Sequence, residues 1–442
     1  MKHLTVLSFL VVGVVLLLSC GGGDSAVDEP AAAAAAGLHP VVIIAVDGLR
    51  ADALGCYGGP VATPAFDALA AESVRFEWAF AQAPEMMPSL ASVLSGLYPT
   101  THGLLTLGDH LEAEAITLAE VAGAAGMTTA AFIEGAPGGA DFGLAQGFAS
   151  YQTVAAPGAD GIAWMQQHAD ESFLLLISGW GSRSLDGAAE LLGEDRAIAG
   201  ERVVEVLASR GGDDPQLFDE DEIVRVRDWY AARTQIIDAY IGEFMKAFSS
   251  SGLAERATLV VLGSNGFALQ EHGDLFGETV YAPVTRVPML VRFPNGAHAG
   301  VNSKVVEAVD LMPTLVERLA VELPAGVQGS SLMPVIHGTA TPPYVAFGEG
   351  QGSGGQRFVA LAGYRAVATG PEGTLELFHT TADPLELEDV AEIEADKLAK
   401  LQGDLEAWTK MVSVASLDPE LRTEADLDDE TLKQLKSLGY VQ

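Results

Sequence analysis

Residues 41–46, Val-Val-Ile-Ile-Ala-Val, form an unbroken apolar run, mostly β-branched. A strand with one face in water alternates apolar and polar side chains. One without alternation must be covered on both faces, as in a parallel sheet flanked by helices. Residues 172–178 (SFLLLIS) and 258–262 (TLVVL) share this texture, and 127–133 and 287–293 read as further strands. Helical spacing fills the intervals: 63–73 behind Thr63-Pro64, then 117–125, then 309–319. The strongest helix is 223–248, with Ile223, Val226, Tyr230, Ile237, Ile241, Phe244 and Phe248 on one stripe, read as a core-facing surface without chemistry. The chain is therefore expected to be α/β, a large mostly parallel sheet flanked by helices over 40–340. Residues 184–220 read as an irregular, acid-rich excursion. After Tyr344, short strands over 358–369 and 374–379 and a helix over 392–412 predict a small C-terminal antiparallel sheet and helix, 341–415, and a tail, 416–442.

A chain of 442 residues that is 49% hydrophobic can bury a core of that size. Its 24 basic and 60 acidic residues give a formal charge of −36, which repels nucleic acid and anionic headgroups, and no Lys/Arg cluster offsets it. No nucleic-acid partner is expected.

The N-terminus carries Lys2 and an apolar run from Leu4 to Leu18, too short to span a bilayer and of secretory-signal proportions. It ends Leu17-Leu18-Ser19-Cys20, which resembles a bacterial lipobox. That resemblance implies a signal peptide over 1–19, a lipidated Cys20 as first mature residue, and a Gly/Asp/Ala-rich tether over 20–39. Membrane contact is expected through this lipid only. Gly21, where an Asp would favour retention, points to the outer membrane of the envelope. Cys56 is the one other cysteine, so the mature chain is expected to hold no internal disulfide.

Chemistry is expected where strands end. Asp47 closes the first run, at the carboxyl end of a strand, where open α/β sheets place ligands. Its alternative role is to cap the turn. Residues 84–103, PEMMPSLASVLSGLYPTTHG, follow: Pro88 suits a helix start, Leu90, Val93 and Leu94 make an apolar stripe, and Gly96 ends it. A helix start of this kind points free N–H groups at an anion.

The segment 84–103 resembles the sulfatase signature, within the alkaline-phosphatase superfamily, at Pro88, Ser89, Gly96, Tyr98, Pro99, His102 and Gly103. Residues 46–84, 143–148, Glu271-His272-Gly273, 309–332, 376–384 and the closing LDDETLKQLKSLGYVQ continue the likeness, so it covers nearly everything after Pro40. It implies the alkaline-phosphatase/sulfatase fold. It also implies a Cys- or Ser-derived nucleophile, an arginine four residues later, a metal bound by carboxylates, and basic residues around the ester. This chain departs from that set. Met86 stands at the nucleophile position and Leu90 at the arginine position. Gly48 follows Asp47 where a second acid is frequent, and Asn265 in Gly263-Ser264-Asn265-Gly266 replaces an Asp. The turn Phe132-Ile133-Glu134-Gly135 has neither the Lys nor the His found in some relatives, and Phe276 and Glu278 stand where a substrate-contacting His is common. Arg183, in a loop, reads as solvated.

A thioether has no route to an aldehyde hydrate, so the expected protein is a non-catalytic, sulfatase-like binding protein of the envelope, with a protein or a small anion as partner. Two alternatives stay open. One is an active sulfuric or phosphoric ester hydrolase with a rebuilt site using Ser89, His102, His272 or Glu85, with Ca2+ or another divalent cation at Asp47 and Asn265. The other is an architectural role in an envelope complex.

Overall fold

The computed structural model describes residues 38–106, 108–134, 142–179, 218–273, 275, 277, 279–351, 355–370, 372–420 and 433. The expected signal segment, Cys20, most of the tether, Arg183 and nearly all of the acid-rich excursion lie outside the described residues, as do Gly135, Phe276, Glu278 and most of the tail.

The larger sheet comprises β1 (Val41–Val46), β2 (Val74–Phe80), β3 (Thr128–Glu134), β4 (Ser150–Val154), β5 (Phe173–Gly179), β6 (Thr258–Gly263), β7 (Arg286–Arg292) and β8 (Gly300–Glu307). Their spatial order is β4-β3-β5-β1-β6-β7-β2-β8. Every pairing is parallel except those of β7 with β6 and β2. β1 lies at the centre, with Val41 opposite Leu174 on one side and Thr258 on the other. All its residues are buried, as the unalternating sequence requires.

Alternate β1 side chains enter two apolar cores. Val41, Ile43 and Ala45 meet α2 (Met86–Ser95), α3 (Leu118–Ala124) and α6 (Leu311–Arg318) through Leu90, Val93, Leu118, Leu311 and Leu315. Val42, Ile44 and Val46 meet α1 (Pro64–Ala71), α4 (Pro157–Gln167) and α5 (Glu220–Ser250) through Phe66, Met165, Ile237, Ile241 and Phe244. The period-2 geometry of a strand divides one hydrophobic run between two helical layers.

Two helix starts differ from the sequence expectation. Thr63 does not cap α1 with its side chain; its Oγ1 accepts from Gly55 N–H at 2.9 Å. The Asp238 carboxylate of α5 takes the free N–H groups of Phe66 (2.9 Å) and Ala65 (3.2 Å) instead. A carboxylate from a neighbouring helix also meets the positive end of the α1 dipole, which a hydroxyl does less well. Likewise α2 begins at Met86, two residues before Pro88, and ends at Gly96 in the left-handed region, φ 69°.

Four further strands, β9 (Val345–Gly350), β10 (Gln356–Leu361), β11 (Tyr364–Thr369) and β12 (Thr374–Phe378), form an antiparallel sheet in the order β12-β11-β10-β9. β2, β4, β8, β9 and α4 are absent from the sequence expectation. Helix α7 (Ala395–Ala415) packs on this sheet through Leu401, Leu405, Trp408 and Val412. Tyr98, at the end of the 84–103 segment, joins the same cluster and donates its hydroxyl to Glu307 at 2.9 Å. Thr100 is held by the Glu349 carboxylate, from N at 2.7 Å and from Oγ1 at 2.8 Å. The Gly-x-Tyr-Pro block therefore fastens the second sheet to the first.

Candidate functional site

The carboxyl ends of β3, β5, β1 and β6 adjoin, and the first residues of α2 close over them. Asp47 N–H donates to Gly179 O at the end of β5 (3.1 Å), and the Glu134 side chain packs against Gly179. Gly48 N–H donates to Asn265 Oδ1 (3.2 Å), which also accepts from Ser264 Oγ (3.0 Å). Ser178 Oγ lies 3.9 Å from Met86 Sδ. Pro84, just before α2, adjoins Gly277, and a methyl group on Gly277 would come 3.2 Å from Asn265 Nδ2. Asp47, Asn265 and Met86 are thus gathered at one end of the sheet.

Gly48 shows how tightly this turn is built. Its φ is +62°, and a Cβ there would sit 2.2 Å from the Phe267 ring. Glycine is the residue that meets both conditions without strain. A side chain at this position would be strained at that φ and would have to displace the Phe267 ring.

Arg233 is the feature the sequence reading missed. It lies in the α5 stripe, three residues after Tyr230 and four before Ile237, and has no exposed surface. Its guanidinium donates to the main-chain oxygens of Asp47 and, at 3.1 Å, Gly48. It lies 5.0 Å from the centre of the Phe267 ring. Tyr230 donates to the same Gly48 oxygen at 2.9 Å and accepts from Arg50 N–H at 2.8 Å. The sequence signal was present: a cation within an apolar helical stripe needs a buried acceptor. What it faced was not legible.

Burial pushes the Asp47 carboxyl above its ordinary range; Arg233 and a hydrogen bond from Asn265 oppose the shift, and Glu134 adds to it. Burial also pulls the Arg233 guanidinium down, against the attraction of Tyr230, Asp47 and Glu134. Arginine starts high enough to stay charged regardless.

These residues do not fit a divalent cation. A Ca2+ ion takes about six to eight oxygen ligands. Asn265 Oδ1 already accepts two hydrogen bonds, and the main-chain oxygens of Asp47 and Gly48 already face a positive charge. Among the described residues no three His, Cys, Asp or Glu side chains are placed to share a metal ion.

Of the other candidates, Ser89 and His272 are committed elsewhere, whereas Glu85 lies in the chain between Pro84 and Met86. Ser89 is buried and donates to Ala83 O at 2.9 Å, which fastens the start of α2. Leu90 belongs to the core between α2 and the sheet. Glu85 is the residue preceding α2 and gives its carbonyl to Ser89 N–H. His272 stacks on Tyr281 at 3.7 Å and its Nε2 meets Leu385 O at 2.8 Å, at the junction with the C-terminal sheet. Arg50 is committed to Asp52 and Glu271, each at 2.7 Å.

His102 is wholly buried. Leu104 N–H donates to its Nδ1 (3.2 Å), which leaves the proton on Nε2, 3.1 Å from Ser92 Oγ. Burial pulls its pKa down to about 3. The unfolded chain therefore binds a proton that the folded chain refuses between pH ~6.5 and ~3, and stability is lost as pH falls through that window. In urea titrations from pH 7 to 4, His102→Gln should remove a slope approaching 1.4 kcal/mol per pH unit. An unchanged slope would show that His102 is charged in the folded protein.

Comparison with known proteins places this architecture. The sulfatase family profile matches residues 39–321. Arylsulfatase K of Xenopus laevis is 28% identical over 202 residues, 42% of this chain and 38% of that protein. N-acetylglucosamine-6-O-sulfatase of Bacteroides thetaiotaomicron is 30% identical over 115 residues, 26% of this chain and 21% of that protein. The matched regions cover well under half of either relative. Among solved structures, a protein in complex with its substrate D-glucosamine-2-N,6-O-disulfate superposes with a TM-score of 0.68 at 18% identity, covering 85% of this chain and 98% of that one. The phosphonate monoester hydrolase of Agrobacterium radiobacter gives 0.68 at 18% identity, with 89% and 98% covered. At such identities these superpositions speak to fold alone.

Proposed function

The chain belongs to the sulfatase family, and from that premise we propose that it is a non-catalytic member, a pseudo-sulfatase that binds a partner without cleaving an ester. The observation that carries this reading is Met86. Its thioether opens α2 beside Ser178, where the family's nucleophile would stand, and no described side chain can activate it. Loss of a nucleophile alone leaves only a residual ~10³–10⁴-fold acceleration from the rest of a site. Here the rest is altered too: Leu90 is core, and a buried Arg233 holds the main-chain oxygens of Asp47 and Gly48.

The same charges bear on the occupant. Among the described residues at this end of the sheet, Arg233 is enclosed and Arg50 is paired, whereas Asp47 and Glu134 bring negative charge. A small sulfated or phosphorylated ligand would meet carboxylates without a free cation, which favours a protein partner. A carbohydrate sulfate of the kind held by the structural neighbour is the competing occupant.

Assay of the purified, EDTA-dialysed protein and of the protein with added Ca2+ tests the proposal. 4-Nitrophenyl sulfate, 4-nitrophenyl phosphate and a phosphonate monoester should be hydrolysed no faster than by Met86→Ala. Turnover abolished by one substitution at Met86, Asp47, Ser89 or Asn265 would overturn it.

The reading further places the protein at the bacterial envelope, tethered through lipidated Cys20. Among the described residues no helix is long and apolar enough to cross a membrane. Expressed in a Gram-negative host, the full chain should partition with outer membranes, and Cys20→Ala should appear in the soluble fraction. Equal partitioning of both would refute the lipid anchor.

A further inference from the structure

We propose that the Arg233 guanidinium is a built-in replacement for the divalent cation, so that the strand-end cluster of this protein is held together without metal. The inference goes beyond the proposed function, since it would stand even if some ester proved to be cleaved by a metal-free route.

The geometry has three parts. First, the guanidinium meets successive main-chain oxygens, those of Asp47 and Gly48, at the carboxyl end of the central strand. Carbonyl oxygens turned towards one point are the ligands a hard cation uses, and a planar fork of N–H donors takes two of them at once. Second, the cation is enclosed: Arg233 has no exposed surface and lies beside a tilted pair of rings, 5.0 Å from the centre of Phe267 and 5.9 Å from that of Tyr230. Phe267 also fills the space in front of Gly48. Third, Asp47, just after β1, and Glu134, at the end of β3, lie close enough to favour the charged form of the guanidinium.

The position is fixed by a rigid element. Helix α5 runs 31 residues and is fastened on either side of Arg233, by Tyr230 to Gly48 and by Asp238 to the start of α1. A cation delivered on such a helix need not be recruited from solution, and it repels a second cation from the same oxygens. Lysine would carry the charge but lacks the fork that meets both oxygens.

The test uses the full chain after dialysis against EDTA, with thermal unfolding and calorimetric Ca2+ titration. The wild-type protein should show no saturable Ca2+ binding and no shift in Tm. Arg233→Met should unfold at lower temperature, because Asp47 and Glu134 then lack their counter-charge, and saturating Ca2+ should raise its Tm by at least about 2 °C. Asp47→Asn combined with Arg233→Met should recover much of the lost stability and lose the response to Ca2+. If Arg233→Met does not fold, the double variant is still expected to fold. Saturable Ca2+ binding by the wild type that Asp47→Asn abolishes would overturn the inference. So would a folded Arg233→Met indifferent to Ca2+, or a double variant no more stable than Arg233→Met. Ester turnover by the EDTA-dialysed protein would sink the proposed function and leave this inference intact.

Discussion

Arg365→Met should lower the unfolding free energy by about 3–5 kcal/mol, the usual cost of removing one partner of a buried ion pair. Arg365 is wholly buried in β11 and pairs with the buried Glu386 at 2.7 Å. The same guanidinium donates to Val280 O and, at 2.6 Å, to Thr285 Oγ1, and lies 4.0 Å from the centre of the Phe358 ring. Glu386 in turn accepts from Ala282 N–H at 2.8 Å. One side chain therefore fastens the C-terminal sheet to the segment that enters β7, next to the His272–Tyr281 stack. Burial pulls the Arg365 guanidinium down, while Glu386 and Tyr281 support its charge. Urea unfolding of the single variant and of Arg365→Met with Glu386→Gln separates the two contributions. The double variant should recover part of the loss, because it removes the stranded carboxylate. A single variant within about 1 kcal/mol of wild type would mean the pair offsets its own desolvation and the seam rests on apolar contacts.

Trp408→Ala should cost a similar amount, about 3–5 kcal/mol, for deleting a large aromatic from a closed core. The indole lies parallel to the Phe347 ring at 5.2 Å and edge-on to Tyr98 at 5.1 Å, with no exposed surface. It thus joins α7, β9 and the end of the Gly-x-Tyr-Pro block. Loss of the indole should free α7 first. Hydrogen exchange should report increased opening over 395–415 and over 345–350 while β1, β5 and β6 remain protected. Trp408→Phe, which retains most of the stacking area, should cost much less. Uniform loss of protection across both sheets would show that the two sheets unfold as one unit.

These two contacts bear on what the residues that match the sulfatase signature do in this fold. Tyr98, Pro99 and His102 match the sulfatase signature, yet each one is buried and occupied with packing or hydrogen bonds to the fold. Position 86, where the signature calls for a reactive group, is the one that reaches the strand ends. The scaffold positions of the signature are thus held by packing, whereas position 86 carries a thioether.

Helix and strand placement was legible because period and burial are local properties. An unalternating β-branched run can be satisfied only between two layers, and β1 divides its side chains between two cores as that run requires. The exceptions were β2, β4, β8, β9 and α4, which the sequence reading did not place. β9 reads Val-Ala-Phe-Gly-Glu-Gly, with too little β-propensity to stand out, and is held by β10 along its length. The α1 cap was assigned to the adjacent hydroxyl, whereas a carboxylate 172 residues further on supplies it.

By itself, then, the sequence determined the layered α/β architecture and the family, both of which depend on residue type and short-range spacing. Only the tertiary structure decided the charge arrangement of the site. Arg233 stands 186 residues from Asp47 and was read as part of a core-facing helix. Coulomb and hydrogen-bond energies depend on separation in space and on burial, and neither is fixed until the sheet has formed and α5 has packed against it.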